Sequence, residues 1–307
     1  MPDDAHSITD AQHSAAAGDL RAAAAAQKAL VGKQDRLAVV AGIVVPVILV
    51  GLKAAWEPIT PIAVLYAFAI LVVFALGLDR MRGARLRAAA RSRERHDCDV
   101  LDLPWNPSAA GEEPSPEERE EWSNTVATAK GAGGEGAGDP FPREVDDLPL
   151  PYARLACQSL ALYWEPAAVQ RYLKALWLGT GAVILVLVGA SLALHPAAET
   201  AVTTLLALSP LVYWTWREQQ RWHSAGRRAE RVQQRLESAW RNAMAATIKA
   251  AALPSLARGI QNDIYAFRLQ QPVIPRWAAK RYWQRLSYDA RRIDRFVDEY
   301  DQHREKA

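Results

Sequence analysis

The chain has 307 residues and a formal net charge of only +3, from 37 Lys and Arg against 34 Asp and Glu. That near balance excludes a strongly basic nucleic-acid binder, and no DNA or RNA polymer is expected as a partner. Half of the residues are hydrophobic, but they are gathered into uncharged blocks between stretches rich in arginine and glutamate. Cys98 and Cys157 are the two cysteines, too few for a disulfide framework.

The first stretch, MPDDAHSITDAQHSAAAGDL, is polar and has no apolar core of a secretory signal. Residues 1–36 are expected to form an N-terminal helix ahead of the first apolar run. Four uncharged runs follow: 37–52 (LAVVAGIVVPVILVGL), 59–78 (ITPIAVLYAFAILVVFALGL), 175–194 (ALWLGTGAVILVLVGASLAL) and 201–216 (AVTTLLALSPLVYWTW). Helices of about 20 apolar residues match a hydrocarbon core ~30 Å thick. Short loops join the runs in pairs, so the expected fold is all-α, with two transmembrane hairpins (37–78 and 175–216) and helical cytoplasmic segments.

Basic residues flank one end of every span. Lys28, Lys33 and Arg36 precede the first, and Arg80, Arg82, Arg85, Arg87, Arg91, Arg93 and Arg95 follow the second. Arg171 and Lys174 precede the third, and Arg217, Arg221, Arg227 and Arg228 follow the fourth. The loops within the hairpins carry only Lys53. The positive-inside rule then places both termini and the 79–174 segment in the cytoplasm. There the two thiols are expected to stay reduced and to pack. The first turns of the arginine-rich stretches suit anionic lipid headgroups.

No Asp, Glu, Lys or Arg lies inside a span, so no charged relay of the pump kind is built in. The mild polar residues Thr180, Ser191, Thr203, Thr204 and Ser209, with Gly181, are the candidates to line a path or to pack it. Pro46 and Pro210 are expected to kink the first and fourth spans. Gly179, Gly181 and Gly189 allow close helix contact, within one protomer or at an oligomer seam.

In the cytoplasmic segments, SPEEREEWSNTVATAKG carries a helix start, with Ser115 as N-cap and Pro116 at the first position. GAGGEGAGDP (131–140) is a Gly-rich linker. LPLPYARLACQSLALYW sets Ala153, Cys157, Leu160 and Trp164 on one helical stripe. A helix from Pro166 runs into the third span, and residues 217–307 hold further helices near 255–270 and 276–303, broken by QQPVIP.

HDCDVLDLPWN, 96–106, is the densest chemistry in the chain. His96, Cys98 and Asp99 are possible metal ligands without a second pair at zinc spacing. Asp97 and Asp99 make an isolated DxD, and Cys98 has no recognised basic partner. A helix-to-turn junction, with Leu101 and Leu103 buried and Pro104 and Trp105 fixing the turn, accounts for the same letters. No catalytic residue, metal site or cofactor is assigned.

DCDVLDLPWN after the second span, LPLPYARLACQ with YW before the third, and IQNDIYAFRLQQPVIPRW near the end resemble the SMODS-associated four-transmembrane effectors, pore formers of bacterial anti-phage defence. The chain departs from the family pattern at PFP (140–142), at QSLA after Cys157, and at Ala278 and Ala279 after Trp277. The resemblance implies a non-enzymatic effector of CBASS-type defence in the bacterial inner membrane, driven by a cyclic-oligonucleotide messenger. Four spans do not enclose a wide pore, so a homo-oligomer in the lipid bilayer is expected. A membrane-bound enzyme and a scaffold without a pore are the alternatives. A messenger offers phosphates and flat bases, which guanidinium, amide and aromatic groups recognise. The candidate ligand-binding residues are therefore Trp105 with Asn106, Arg154 with Gln158, and Tyr265, Arg268 and Trp277. Core packing of the aromatics and pairing of Arg154 with Asp146 or Asp147 is the competing expectation.

Overall fold

The computed structural model describes residues 6–55, 59–74, 79–128, 141–162, 166–194, 197–245, 248–272 and 287–306, with helices and no strand among them. In chain order these are α1 (Ile8–Gln12), α2 (Ala15–Val39), a π segment (Val40–Val44), α3 (Val45–Ala55), α4 (Thr60–Val73) and α5 (Asp79–Val100). Then come α6 (Pro107–Ala110), α7 (Pro116–Thr128), α8 (Leu150–Ala161), α9 (Pro166–Leu194), α10 (Ala198–Ala207), α11 (Ser209–Met244), α12 (Leu253–Arg268) and α13 (Ser287–Lys306). The Gly-rich linker and Trp277 lie outside the described residues. The contacts divide the chain into two compact units.

The apolar unit comprises Val31–Ala84 and Glu165–Ser224. Its interior is thin: one cluster is Val50, Ala63, Ala207 and Leu208, another Ala38, Phe74 and Trp214. Its outside is apolar instead. Among the described residues, the large hydrophobic side chains left exposed, such as Leu65, Phe68, Leu178 and Leu185, all fall within 37–81 or 177–216. A water-soluble protein does not leave so broad an apolar surface open. Ala15–Lys53 and Val169–Leu194 each contain a stretch long and apolar enough to cross a bilayer, and Thr60–Val73 is a shorter apolar helix.

Pro46 acts on the helix before it, through the π segment. Proline has no N–H, so one carbonyl a turn earlier loses its donor. The π register is closed by Val45 N–H donating to Val40 O, and Tyr66 Oη donates to Ala41 O at 2.8 Å. Ala41 O is the acceptor that an amide at position 46 would have used in that register. A Cβ on Gly42 would lie 2.9 Å from the Phe74 ring, so glycine is what lets these helices approach. Pro210 breaks the fourth span at Leu208 into α10 and α11. Ser209 Oγ donates to Leu206 O at 2.7 Å, supplying the partner that the proline nitrogen cannot.

The soluble-type unit comprises Met1–Leu30, Arg85–Trp164 and Ala225–Ala307. Its core centres on α8, where Leu155, Ala156 and Cys157 are fully buried against residues such as Ile260 and Ile264 of α12 and Phe296 of α13. The expected stripe on α8 is too narrow. Every residue from Ala153 to Ser159 is buried, because neighbours pack around more than one side of the helix, while Leu160 is half-buried. Ser115 caps α7 as expected, accepting from Glu118 N–H at 3.2 Å. At the start of the chain, Asp146 accepts from the amides of Ile8 (2.9 Å) and Thr9 (3.3 Å) and from Ser7 Oγ (3.0 Å).

Candidate functional site

The HDCDVLDLPWN stretch is the C-terminal end of α5 and the turn beyond it. Helical spacing puts Glu94, Asp97, Cys98 and Leu101 on one face, and all four are buried. Arg95 and Asp99 point the other way and pair at 2.6 Å on the surface. The helix ends in a Schellman-type turn, with Leu103 N–H donating to Cys98 O at 2.9 Å and Asp102 at φ 49° in the left-handed position. Glycine usually takes that position.

Arg154 of α8 explains why an aspartate serves. Its Nε donates to Leu101 O at 2.7 Å, and its Nη2 donates to Asp102 O at 2.6 Å and Asp102 Oδ2 at 2.8 Å. One guanidinium thus satisfies carbonyls that a helix end leaves open. The expected pairing of Arg154 with Asp146 or Asp147 is corrected: Asp146 caps α1, and the acid opposite Arg154 is Asp102.

A second arginine and Gln261 tie this end of α5 to α12, and Gln158 ties α8 to the same helix. Arg258 pairs with Glu94, donates to Pro104 O at 2.9 Å and lies 3.1 Å from Cys98 Sγ. Gln261 Nε2 donates to Glu94 Oε2 at 2.9 Å and to Asp97 Oδ2 at 3.0 Å. Gln158 of α8 donates to Ala257 O at 2.8 Å and Gln261 Oε1 at 3.2 Å. Asp97 is completed by Arg268 at 2.7 Å, Arg93 at 3.4 Å and His96 Nδ1 at 3.0 Å.

The electrostatics follow from this geometry. Burial raises the pKa of Asp97, but Arg268 and Arg93 outweigh it and hold the carboxyl well below its usual range. Burial pushes Glu94 up against the pull of Arg258, and it pushes the Cys98 thiol up to about 12, aided by Glu94. Cys157 is raised by burial as well. Both cysteines are therefore protonated thiols at neutral pH, without nucleophile character. His96 is lowered by burial, so its neutral ring donates Nδ1–H to Asp97, and its buried Nε2 has no hydrogen-bond partner among the described residues. His96, Cys98 and Asp99 do not converge. Among the described residues no three His, Cys, Asp or Glu side chains are placed to hold a metal ion.

The ligand-binding candidates are scattered by the fold into structural contacts. Trp105 Nε1 donates to Gly111 O at 2.8 Å, and Asn106 caps α6 through Ser108 N–H at 3.1 Å. Tyr265 is buried with Ala90 and Ala110. Arg154 and Gln158 are committed as described, and Trp277 is outside the described residues. Only Arg268 stays in a cluster of charge. Sequence reasoning missed Glu94, Arg258 and Gln261; the 94–97–98–101 spacing was the available signal on α5.

In the apolar unit, Thr180 Oγ1 and Thr215 Oγ1 share a buried hydrogen bond of 2.8 Å. Thr204 Oγ1 donates to Ser191 Oγ at 3.3 Å. Lys53, expected in a loop, is buried: Nζ donates to Thr200 O at 3.3 Å, to Thr204 Oγ1 at 3.4 Å and to the Thr203 hydroxyl. Gly179, Gly181 and Gly189 meet no atom within 4 Å where a Cβ would stand. Of the two expectations for them, packing within one protomer or an oligomer seam, no close contact of the first kind is seen among the described residues.

The family profile of the SMODS-associating 4TM effector domain matches residues 6–293. The chain belongs to this family. The match takes in both halves of the buried network, α5 and α12, and all four apolar runs. It makes the chain an all-α membrane effector linked to CBASS-type defence signalling. Comparison with curated proteins and with solved structures found no match.

Proposed function

We propose that this chain responds to a cyclic-oligonucleotide messenger through its soluble-type unit and breaches the bacterial inner membrane as a homo-oligomeric pore, without catalysing a reaction. Both termini and the 79–174 segment face the cytoplasm, where the messenger is made. The observation that carries the reading is the inverted apolar unit, with large hydrophobic side chains outside and little core inside. A bundle so thin has no room for a channel of its own. The open face at Gly181 and Gly189 on α9 supports contact with another copy. The buried Thr180–Thr215 and Thr204–Ser191 pairs hold the protomer closed, and their hydroxyls become available to a path when the helices part.

The test is reconstitution of the full chain into dye-loaded phosphatidylglycerol–phosphatidylethanolamine liposomes, challenged with a mixture of cyclic di- and trinucleotides. Nucleotide-triggered release is expected. Liposomes that stay sealed overturn the pore, and release that ignores nucleotide overturns the messenger control.

A further inference from the structure

The network around Asp97 is over-supplied with positive charge. Glu94 is matched by Arg258. Asp97, fully buried, faces Arg268 on α12 and Arg93 on its own helix. Lys28 of α2 stands beside the same group and makes no hydrogen bond or ion pair among the described residues. Its pKa falls to about 8, through burial first and then repulsion by Arg268 and Arg93. Among the described residues, Lys28, Arg93 and Arg268 thus face Asp97 together, and Glu94, which Arg268 also feels, is already paired with Arg258. Arg268 is itself buried, and its Nη1, though 2.7 Å from Asp97, lacks hydrogen-bond geometry to any partner among the described residues. Buried donors without acceptors are uncommon, and a surplus of buried charge more so. Lys28 and Arg93 are only half-buried, so the cluster is reachable from solvent. Lys28 is well short of the apolar run that begins at 37, so its charge belongs to the soluble-type unit.

We propose that Lys28, Arg93 and Arg268 form a phosphate site that takes one phosphodiester of the messenger. The ligand supplies the anion that this cluster lacks among the described residues, and it bridges α2, α5 and α12. α2 continues through the π segment into the first apolar run, so the cation that the ligand draws in sits on the helix that leads there. Arg and Lys are the groups that phosphate oxygens meet with the strongest hydrogen bonds. The proposal rests on the messenger reading above, but its first test does not.

Pyrophosphate binding to the full chain in detergent is measured by calorimetry and by the rise in unfolding temperature, with chloride at equal ionic strength as control. Saturable binding is expected, weakened about tenfold by Lys28→Gln or Arg93→Gln, the scale of one charge-assisted hydrogen bond. Without anion, Lys28→Gln should unfold no lower than wild type, because it removes a repelled charge. A residue serving only to hold the fold would give the opposite sign. No pyrophosphate binding, or equal binding in both variants, overturns the site. The mixture of cyclic di- and trinucleotides should displace pyrophosphate. Displacement by phosphatidylglycerol bicelles but by none of the nucleotides would give the site to a lipid headgroup and overturn the proposal. Nucleotide displacement together with sealed liposomes would leave this site standing and remove the pore.

Discussion

Replacing Arg258 by Met isolates the strongest tie between α5 and α12. The substitution keeps an unbranched chain of similar reach and removes the guanidinium from Glu94, which is 1% exposed. Breaking a buried pair by removing one partner costs about 3–5 kcal/mol, because the other charge is left uncompensated. Gln261 still donates to Glu94 at 2.9 Å, so the lower end, about 3 kcal/mol, is expected. At roughly 2–4 °C per kcal/mol for a unit of this size, unfolding should fall by about 6–12 °C. Tryptophan fluorescence of the full chain in detergent follows it, since Trp240 lies in the same core. The pH dependence carries a definite sign. Glu94 is already raised above 4.5 by burial, and losing Arg258 raises it further. In the window above 4.5 the folded variant then holds a proton that the unfolded chain releases, so the variant gains on wild type as pH falls. Its deficit should be larger at pH 8 than at pH 5.5. His96, lowered by burial, costs both proteins stability below pH 6.5 and cancels in the difference. Adding Glu94→Gln should restore most of the loss. A deficit under about 1 kcal/mol, the scale of an exposed pair, or a double variant no better than the single, would refute the reasoning.

Gly42→Ala sets a methyl 2.9 Å from the Phe74 ring, and overpacking of this kind costs about 1–3 kcal/mol. Phe74→Leu in the same chain should recover part of it, and a Gly42→Ala protein as stable as wild type in detergent unfolding would contradict the packing. Cys98 and Cys157, buried and held protonated, should resist iodoacetamide at pH 8 in the native protein and react once it is unfolded. Prompt labelling of the folded chain would show that the core described for α8 does not form.

The two halves of the chain were legible to different depths. The spans could be read because an uncharged run of sufficient length has few other uses, and Pro46 and Pro210 announced local breaks. What each break became was not readable. The π segment depends on Tyr66, twenty positions after Pro46, reaching an orphaned carbonyl, and nothing local to Pro46 predicts that partner. The turn in HDCDVLDLPWN was visible from its Leu-Pro-Trp letters. Its left-handed residue was not, because Asp102 stands where glycine usually does and is acceptable only through Arg154, fifty-two positions away. Arg154, Gln158 and Arg268 were picked as groups to bind a ligand, but a single sequence could not say that two of them bond to the protein's own backbone. Glu94, Arg258 and Gln261 meet across more than 160 positions, beyond what periodicity can report.

The buried ions of the soluble-type unit also need a reason to be there. A buried pair is often replaceable by well-packed hydrophobic residues without loss, and the same unit already has an apolar core around Leu155, Ile260 and Phe296. Stability alone therefore does not account for them. Two kinds of charge are mixed in this network, and they differ in sign. Arg258 answers Glu94, so losing it exposes a deficit. Lys28 has only a share in Asp97, against the repulsion of Arg268 and Arg93 and the cost of burial, so losing it relieves a strain. A clamp built only to hold α5 on α12 would need the first and would be better without the second. A cation kept where it is repelled is the arrangement expected of a protein whose most stable state includes an anion it does not carry itself. Opposite effects of Arg258→Met and Lys28→Gln on unfolding, measured side by side, are the result that separates a ligand-completed network from a structural one.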